Sequence, residues 1–153
     1  MKIILIAGMI LFVLLYFIYL SIKSHNGEPA GLINQKLSPC PDTPNCINSE
    51  FKNDPEHFID ALAYKNKSVD EVFVAVKKSI RKTGGHIIKV NKNYISATYT
   101  SKLFRYVDDF EIRVDSESNS IHFRSASRVG RSDFGANSKR IILIKNELRS
   151  QLN

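Results

Sequence analysis

From Arg124 to Arg140 the chain reads Arg-Ser-Ala-Ser-Arg-Val-Gly-Arg-Ser-Asp-Phe-Gly-Ala-Asn-Ser-Lys-Arg, so five cations, four serines and two glycines run from an alternating segment into a helical one. Unpaired amides at a helix start attract anions, and guanidinium groups offer paired donors to a phosphate or carboxylate. The candidate ligand-binding residues on this ground are Arg124, Ser125, Ser127, Arg128, Arg131, Ser132, Asp133, Asn137 and Arg140, with Asp108 beside them. Gly130 and Gly135 have the separation of a nucleotide-hydrolase phosphate loop, but no Lys-Ser/Thr follows, and no Gly-x-Ser-x-Gly elbow is present. The competing expectation is that these arginines pair with Asp108, Asp109, Asp133 and Glu111 and lock the turn.

Two further groups of residues could do chemistry. Asp108 and Asp109 are adjacent on a strand, so their side chains point to opposite faces and cannot form a carboxylate dyad without a bulge. Asp108 heads into an apolar face and needs a cation, for which Arg140 or Arg128 is the natural partner. A catalytic alternative uses Asp108 or Asp133 as a base beside Ser125 or Ser127. The segment Cys40-Pro41-Asp42-Thr43-Pro44-Asn45-Cys46 holds the two cysteines of the chain. A disulfide closing this short loop is the expected reading, with free thiols, or a thiol paired with His57, as alternatives. The spacing supplies no four-ligand zinc site, so no metal or cofactor is expected.

The elements that must position these groups follow from periodicity. Ser68-Val69-Asp70-Glu71 is a capping box, and Val69, Val72, Phe73, Val76 and Ile80 form one helical face that ends at Gly84-Gly85. Strands are expected over His86 to Val90, Tyr94 to Thr100, Tyr106 to Asp115 and Ser120 to Arg128, with a weaker one at Ala61 to Lys65. A last helix, capped by Asn137 or Ser138, carries Ile141, Ile144, Leu148 and Leu152 along one stripe. Placing Asp115 opposite Ser120 puts Phe110, Ile112, Ile121 and Phe123 on the core face, with Asp108, Ser125 and Ser127 at its end, and sets Glu111 against Arg124 on the other face.

The first stretch is of a different kind. Ile3 to Leu20 carries no charge and is bounded by Lys2 and Lys23, long enough at about 1.5 Å per residue to span a hydrocarbon core of roughly 30 Å. No small-x-small cleavage site follows Leu20, so an uncleaved anchor is expected rather than a removed signal. The expected organisation is an anchor over residues 1–23, a tether over 24–36 and a globular domain over 37–153. An N-terminal anchor of this type sets its domain outside the cytoplasm by default. The chain has 22 basic and 15 acidic side chains. A mild positive balance suits anionic head groups, while nucleic acid is not expected, since no aromatic residues alternate with the cations.

Cys-Pro-x-x-Pro-Asn-Cys, the strand segment Phe104 to Asp109, and the motif Arg124 to Arg140 together resemble the domain-of-unknown-function family numbered 1499, over roughly Leu37 to the C-terminus. The resemblance implies a bacterial or plastid protein, exported or membrane-attached, and brings no activity with it. Arg131 stands where the family pattern suggests an aromatic residue, and Ser138 where it suggests a basic one. The expected fold class is α+β: an antiparallel sheet of four to five strands with two helices on one face, behind a single membrane-spanning helix. The expected function is a non-catalytic binding module for an anionic small molecule or lipid head group, partnered with the membrane through residues 3–22. An envelope assembly protein is the alternative.

Overall fold

Why the sheet buries one face under helices is visible in its two longest strands. In the computed structural model, which describes residues 2–152, β7 (Val107–Asp115) and β8 (Ser120–Ser127) pair with Asp115 opposite Ser120, Ile112 opposite Phe123 and Asp108 opposite Ser127. This is the register expected from the alternation, and it places Phe110, Ile112, Val114, Ile121 and Phe123 in one buried layer. Two helices cover that layer: α2 (Val69–Lys82), through Val72, Phe73, Val76 and Ile80, and α3 (Ala136–Leu152), through Ile141, Ile144, Leu148 and Leu152. Ser68 caps α2, its hydroxyl accepting from the Glu71 amide while the Glu71 carboxylate accepts from the Ser68 amide.

The remaining strands extend the sheet on both sides. β5 (His86–Val90), β6 (Tyr94–Thr100), β7 and β8 form an antiparallel meander, and β3 (Cys46–Asn48) closes the far edge along Arg124 to Ala126. β4 (Leu62–Ala63) pairs with the start of β8 on that same edge. β5 carries a bulge between Ile87 and Lys89, which shifts its register against β6. A short hairpin, β1 (Leu32–Ile33) and β2 (Lys36–Leu37), lies outside this sheet. The α+β class, the antiparallel sheet and the two covering helices are therefore as expected. β3 falls in a stretch with no periodicity and was not expected.

α1 (Lys2–His25) is a 24-residue helix with a mean hydropathy of 2.9 over its most apolar window, and that window is not buried by the rest of the chain. It is long and apolar enough to cross a membrane. The stretch read from sequence as a tether is packed rather than loose. Ser24 is fully buried, the Gly31 amide donates to Glu111 Oε1 at 2.7 Å, and the Ser38 hydroxyl donates to the Gly31 carbonyl at 2.9 Å. Residues 31–38 thus lie over β7 and β8 on the sheet face opposite the helices.

Candidate functional site

That second face carries charge where a buried sheet face ordinarily carries apolar groups, so each charge must find a partner or cost several kcal/mol. Three ion pairs run down it: Arg128 Nη2 to Asp109 Oδ1 at 2.6 Å, Arg124 Nη1 to Glu111 Oε2 at 2.8 Å, and Arg113 Nε to Glu50 Oε1 at 2.7 Å. Glu111 is fully buried and also accepts from the Tyr94 hydroxyl at 2.7 Å. Burial, reinforced by the neighbouring Glu111 carboxylate, pushes the Tyr94 phenol far above its ordinary range. Burial likewise holds His122 below its ordinary value, with Glu50 and Asp115 pulling the other way and Arg113 adding to the depression.

The helix-side end of the same strands holds the other half of the motif. Arg140 Nη2 donates to Asp108 Oδ2 at 2.7 Å, and its guanidinium lies 4.7 Å from the Tyr99 ring centroid. Arg140 Nη1 also donates to Ser125 Oγ and to Asn137 Oδ1. The Ser125 hydroxyl donates to Asn137 Oδ1 at 2.6 Å, and Asn137 Nδ2 donates to Ser127 Oγ at 3.0 Å and to the Asn45 carbonyl at 2.8 Å. Asp108 and Arg140 thus form the buried pair that ties the last helix to the sheet. Among the described residues neither Ser125 nor Ser127 is hydrogen-bonded to a carboxylate; both hydroxyls meet the Asn137 side chain instead.

The β8–α3 turn is closed from within. Asp133 accepts from the amides of Gly135 at 3.1 Å and Asn137 at 2.7 Å, which occupies the donors that an external anion would have used. Asp133 is therefore the residue that satisfies the start of α3, in place of the expected Asn137 or Ser138 cap. Asn137 instead turns its side chain into the sheet. Ser132 accepts from the Phe134 amide at 3.3 Å, and both Ser132 and Arg131 are exposed. Gly130, at φ 81°, turns its carbonyl toward Asn45 Nδ2 at 2.7 Å. A side chain at that φ would be strained.

Cys40 and Cys46 are joined as a disulfide, with Cα atoms 5.7 Å apart. The loop that it closes presents Asn45, whose carbonyl also accepts from the Ser127 amide at 3.0 Å. His57 serves the same loop: its Nε2 lies 3.1 Å from the Thr43 carbonyl and its Nδ1 2.8 Å from Asp54 Oδ2. The cysteine loop, the Asp108-Asp109 strand and the Arg124 to Arg140 segment meet as one polar joint. That joint also grips α1, because Arg128 Nη1 donates to the Ser24 carbonyl at 3.0 Å and Ser24 Oγ accepts from the Val107 amide at 3.1 Å.

With most of the motif engaged internally, the accessible space lies beside it. A cleft of about 640 Å³ separates residues 25–32 from the outer face of β5 and β6. Ser96, Thr98 and Thr100 line its floor, and His86, Ile88 and Lys89 its wall, with His25 and Arg128 at the end nearest α1. The β5 bulge accounts for Ile88 and Lys89 both reaching the cleft, since an extra residue re-aims the side chains that follow it. A single carboxylate, Glu28, stands among these groups. From sequence His86 is expected only as the first residue of a strand, and no motif marks the cleft.

Fold and site together define a small α+β domain carried on one helix able to cross a membrane, with a polar joint at the helix end and an open polar cleft beside it. The model of the protein family of unknown function DUF1499 matches residues 36–148 of the 153, and the chain belongs to that family. No curated protein matches it.

Proposed function

We propose that this protein is a membrane-tethered, non-catalytic binding module, with α1 in the bilayer and an anionic small molecule or lipid head group in the cleft between residues 25–32 and the β5–β6 face. The observation that carries the reading is the cleft itself: about 640 Å³, with His25, His86, Lys89 and Arg128 set against the one carboxylate of Glu28. The charge of Arg128 is already met by Asp109, so Lys89 supplies the positive charge, and the imidazole of His86 with the hydroxyls of Ser96, Thr98 and Thr100 supplies neutral hydrogen bonds to a phosphate or polyol. Arg131, exposed on the neighbouring turn, adds to the positive field at that end. Assignment of the domain to the extracytoplasmic side is supported by the Cys40–Cys46 bond, because disulfides persist in oxidising compartments.

The test is equilibrium titration of the detergent-solubilised full chain with inorganic phosphate and with short-chain phosphatidylglycerol. Loss of the Lys89 charge and the His86 hydrogen bond on replacing both by alanine should weaken binding about tenfold, with thermal stability unchanged. Absence of binding by the unaltered protein, or equal binding by both, contradicts the proposal.

A further inference from the structure

Outside α1, the two most exposed large apolar side chains among the described residues are Phe134, at 90%, and Leu103, at 79%. They sit on different loops, yet both loops leave the same end of the sheet. Thr100, the last residue of β6, is opposite Val107 at the start of β7, and Ser127, the last of β8, is opposite Asp108. The end of α1 is fastened to this same edge through Ser24, Val107 and Arg128. A third contact fixes the 101–106 loop directly, with His25 Nε2 3.0 Å from the Arg105 carbonyl.

The depth of that loop follows from its aromatic packing. The Phe104 ring stacks on Phe17 of α1 at 4.6 Å between centroids, and on Tyr106 at 5.5 Å. Phe17 belongs to the uncharged run and lies about 9 Å along the helix axis from Lys23. A loop stacked at that level stands beneath the plane at which α1 would leave the hydrocarbon. Tyr16, 6.2 Å from Phe17 between ring centroids, and Tyr106 flank this stack at the level where interfacial aromatic residues collect in membrane proteins. Lys102 and Arg105 are exposed on the loop and have stems long enough to return their charges to lipid phosphates.

We propose that the 101–106 and 129–135 loops form a second, non-spanning contact with the bilayer, Leu103 and Phe104 inserting beside α1 and Phe134 resting at the same surface, with Lys102, Arg105 and Arg131 on anionic head groups. This rests on the reading that α1 crosses the membrane. Its consequence is a fixed tilt: the domain stands on three points, and the His25 end of the cleft faces the lipid surface.

The chain has no tryptophan, so a single introduced indole reports its own depth. The full chain is reconstituted into phosphatidylcholine–phosphatidylglycerol vesicles that carry bromine either near the glycerol or deep in the acyl chains. Leu103→Trp and Phe104→Trp should emit to the blue and lose more than half their intensity to shallow bromine. Phe12→Trp, within α1, should be quenched best by deep bromine, and Glu117→Trp, at the opposite end of the sheet, by neither. Leu103 packs little against the protein, so its replacement keeps the test valid should Phe104→Trp fold poorly. Loop indoles as unquenched as Glu117→Trp, beside a quenched Phe12→Trp, overturn the second contact and leave the anchor standing. An unquenched Phe12→Trp overturns both.

Discussion

At the scale of single residues, the account turns on charge that is buried and matched. Glu111 has no solvent exposure and receives the Arg124 guanidinium, the Tyr94 hydroxyl and the Gly31 amide. Replacing Glu111 by leucine leaves Arg124 buried and uncompensated, which should cost about 3–5 kcal/mol in urea unfolding. Replacing both, as Glu111→Leu with Arg124→Met, should recover most of that loss, because the expensive element is the orphaned charge rather than the missing bond. Equal destabilisation by the single and double variants would show that the pair matters through the tether contacts instead. Gly27 has a related role: a Cβ there would lie 2.8 Å from Arg128 Cδ, whose guanidinium is held by Asp109 and the Ser24 carbonyl, so the tether passes only as a glycine.

At the scale of elements, the cysteine loop acts as a clasp on the end of β8. It precedes β3, and its Asn45 carbonyl receives both Ser127 and Asn137. Closing about seven residues removes roughly 2 kcal/mol of chain entropy from the unfolded state, so Cys40→Ser with Cys46→Ser should lower unfolding free energy by that amount. Native-state hydrogen exchange should localise the loosening to 45–48 and 127–137, and a uniform change across the sheet would contradict the clasp. Much of this level was legible in the sequence. Alternation in β7 and β8 fixed their register because a slip by one residue would have turned Phe110, Ile112 and Phe123 outward, and Ser68 with Glu71 gave the start of α2. β3 was not legible, being three residues whose strand state comes from pairing with β8 rather than from its own pattern. The bulge in β5 was hidden for a similar reason: His-Ile-Ile-Lys-Val reads as an ordinary strand, and only its partner shows the slipped register.

At the scale of the molecule, the motif residues and the accessible cleft are neighbours that share Arg128. From sequence, the density of arginine and serine between Arg124 and Arg140 identified where residues gather, and the partners Asp108 and Glu111 were named. Composition alone could not decide between a ligand and internal carboxylates as the destination of those donors, since both use the same chemistry. The structure joins Arg124, Arg128 and Arg140 to carboxylates, and uses the resulting joint to hold the sheet against α1. The cleft escaped notice because residues 25–32 and β5–β6 are far apart in the chain and carry no shared motif.

The measurement that bears most directly on the central claim is hydrogen exchange of the full chain in nanodiscs, with and without added phosphatidylglycerol head-group analogue. The account predicts new protection across 27–32 and 86–100, with 129–137 unchanged. Protection confined to 129–137, with the cleft strands unaffected, would contradict it.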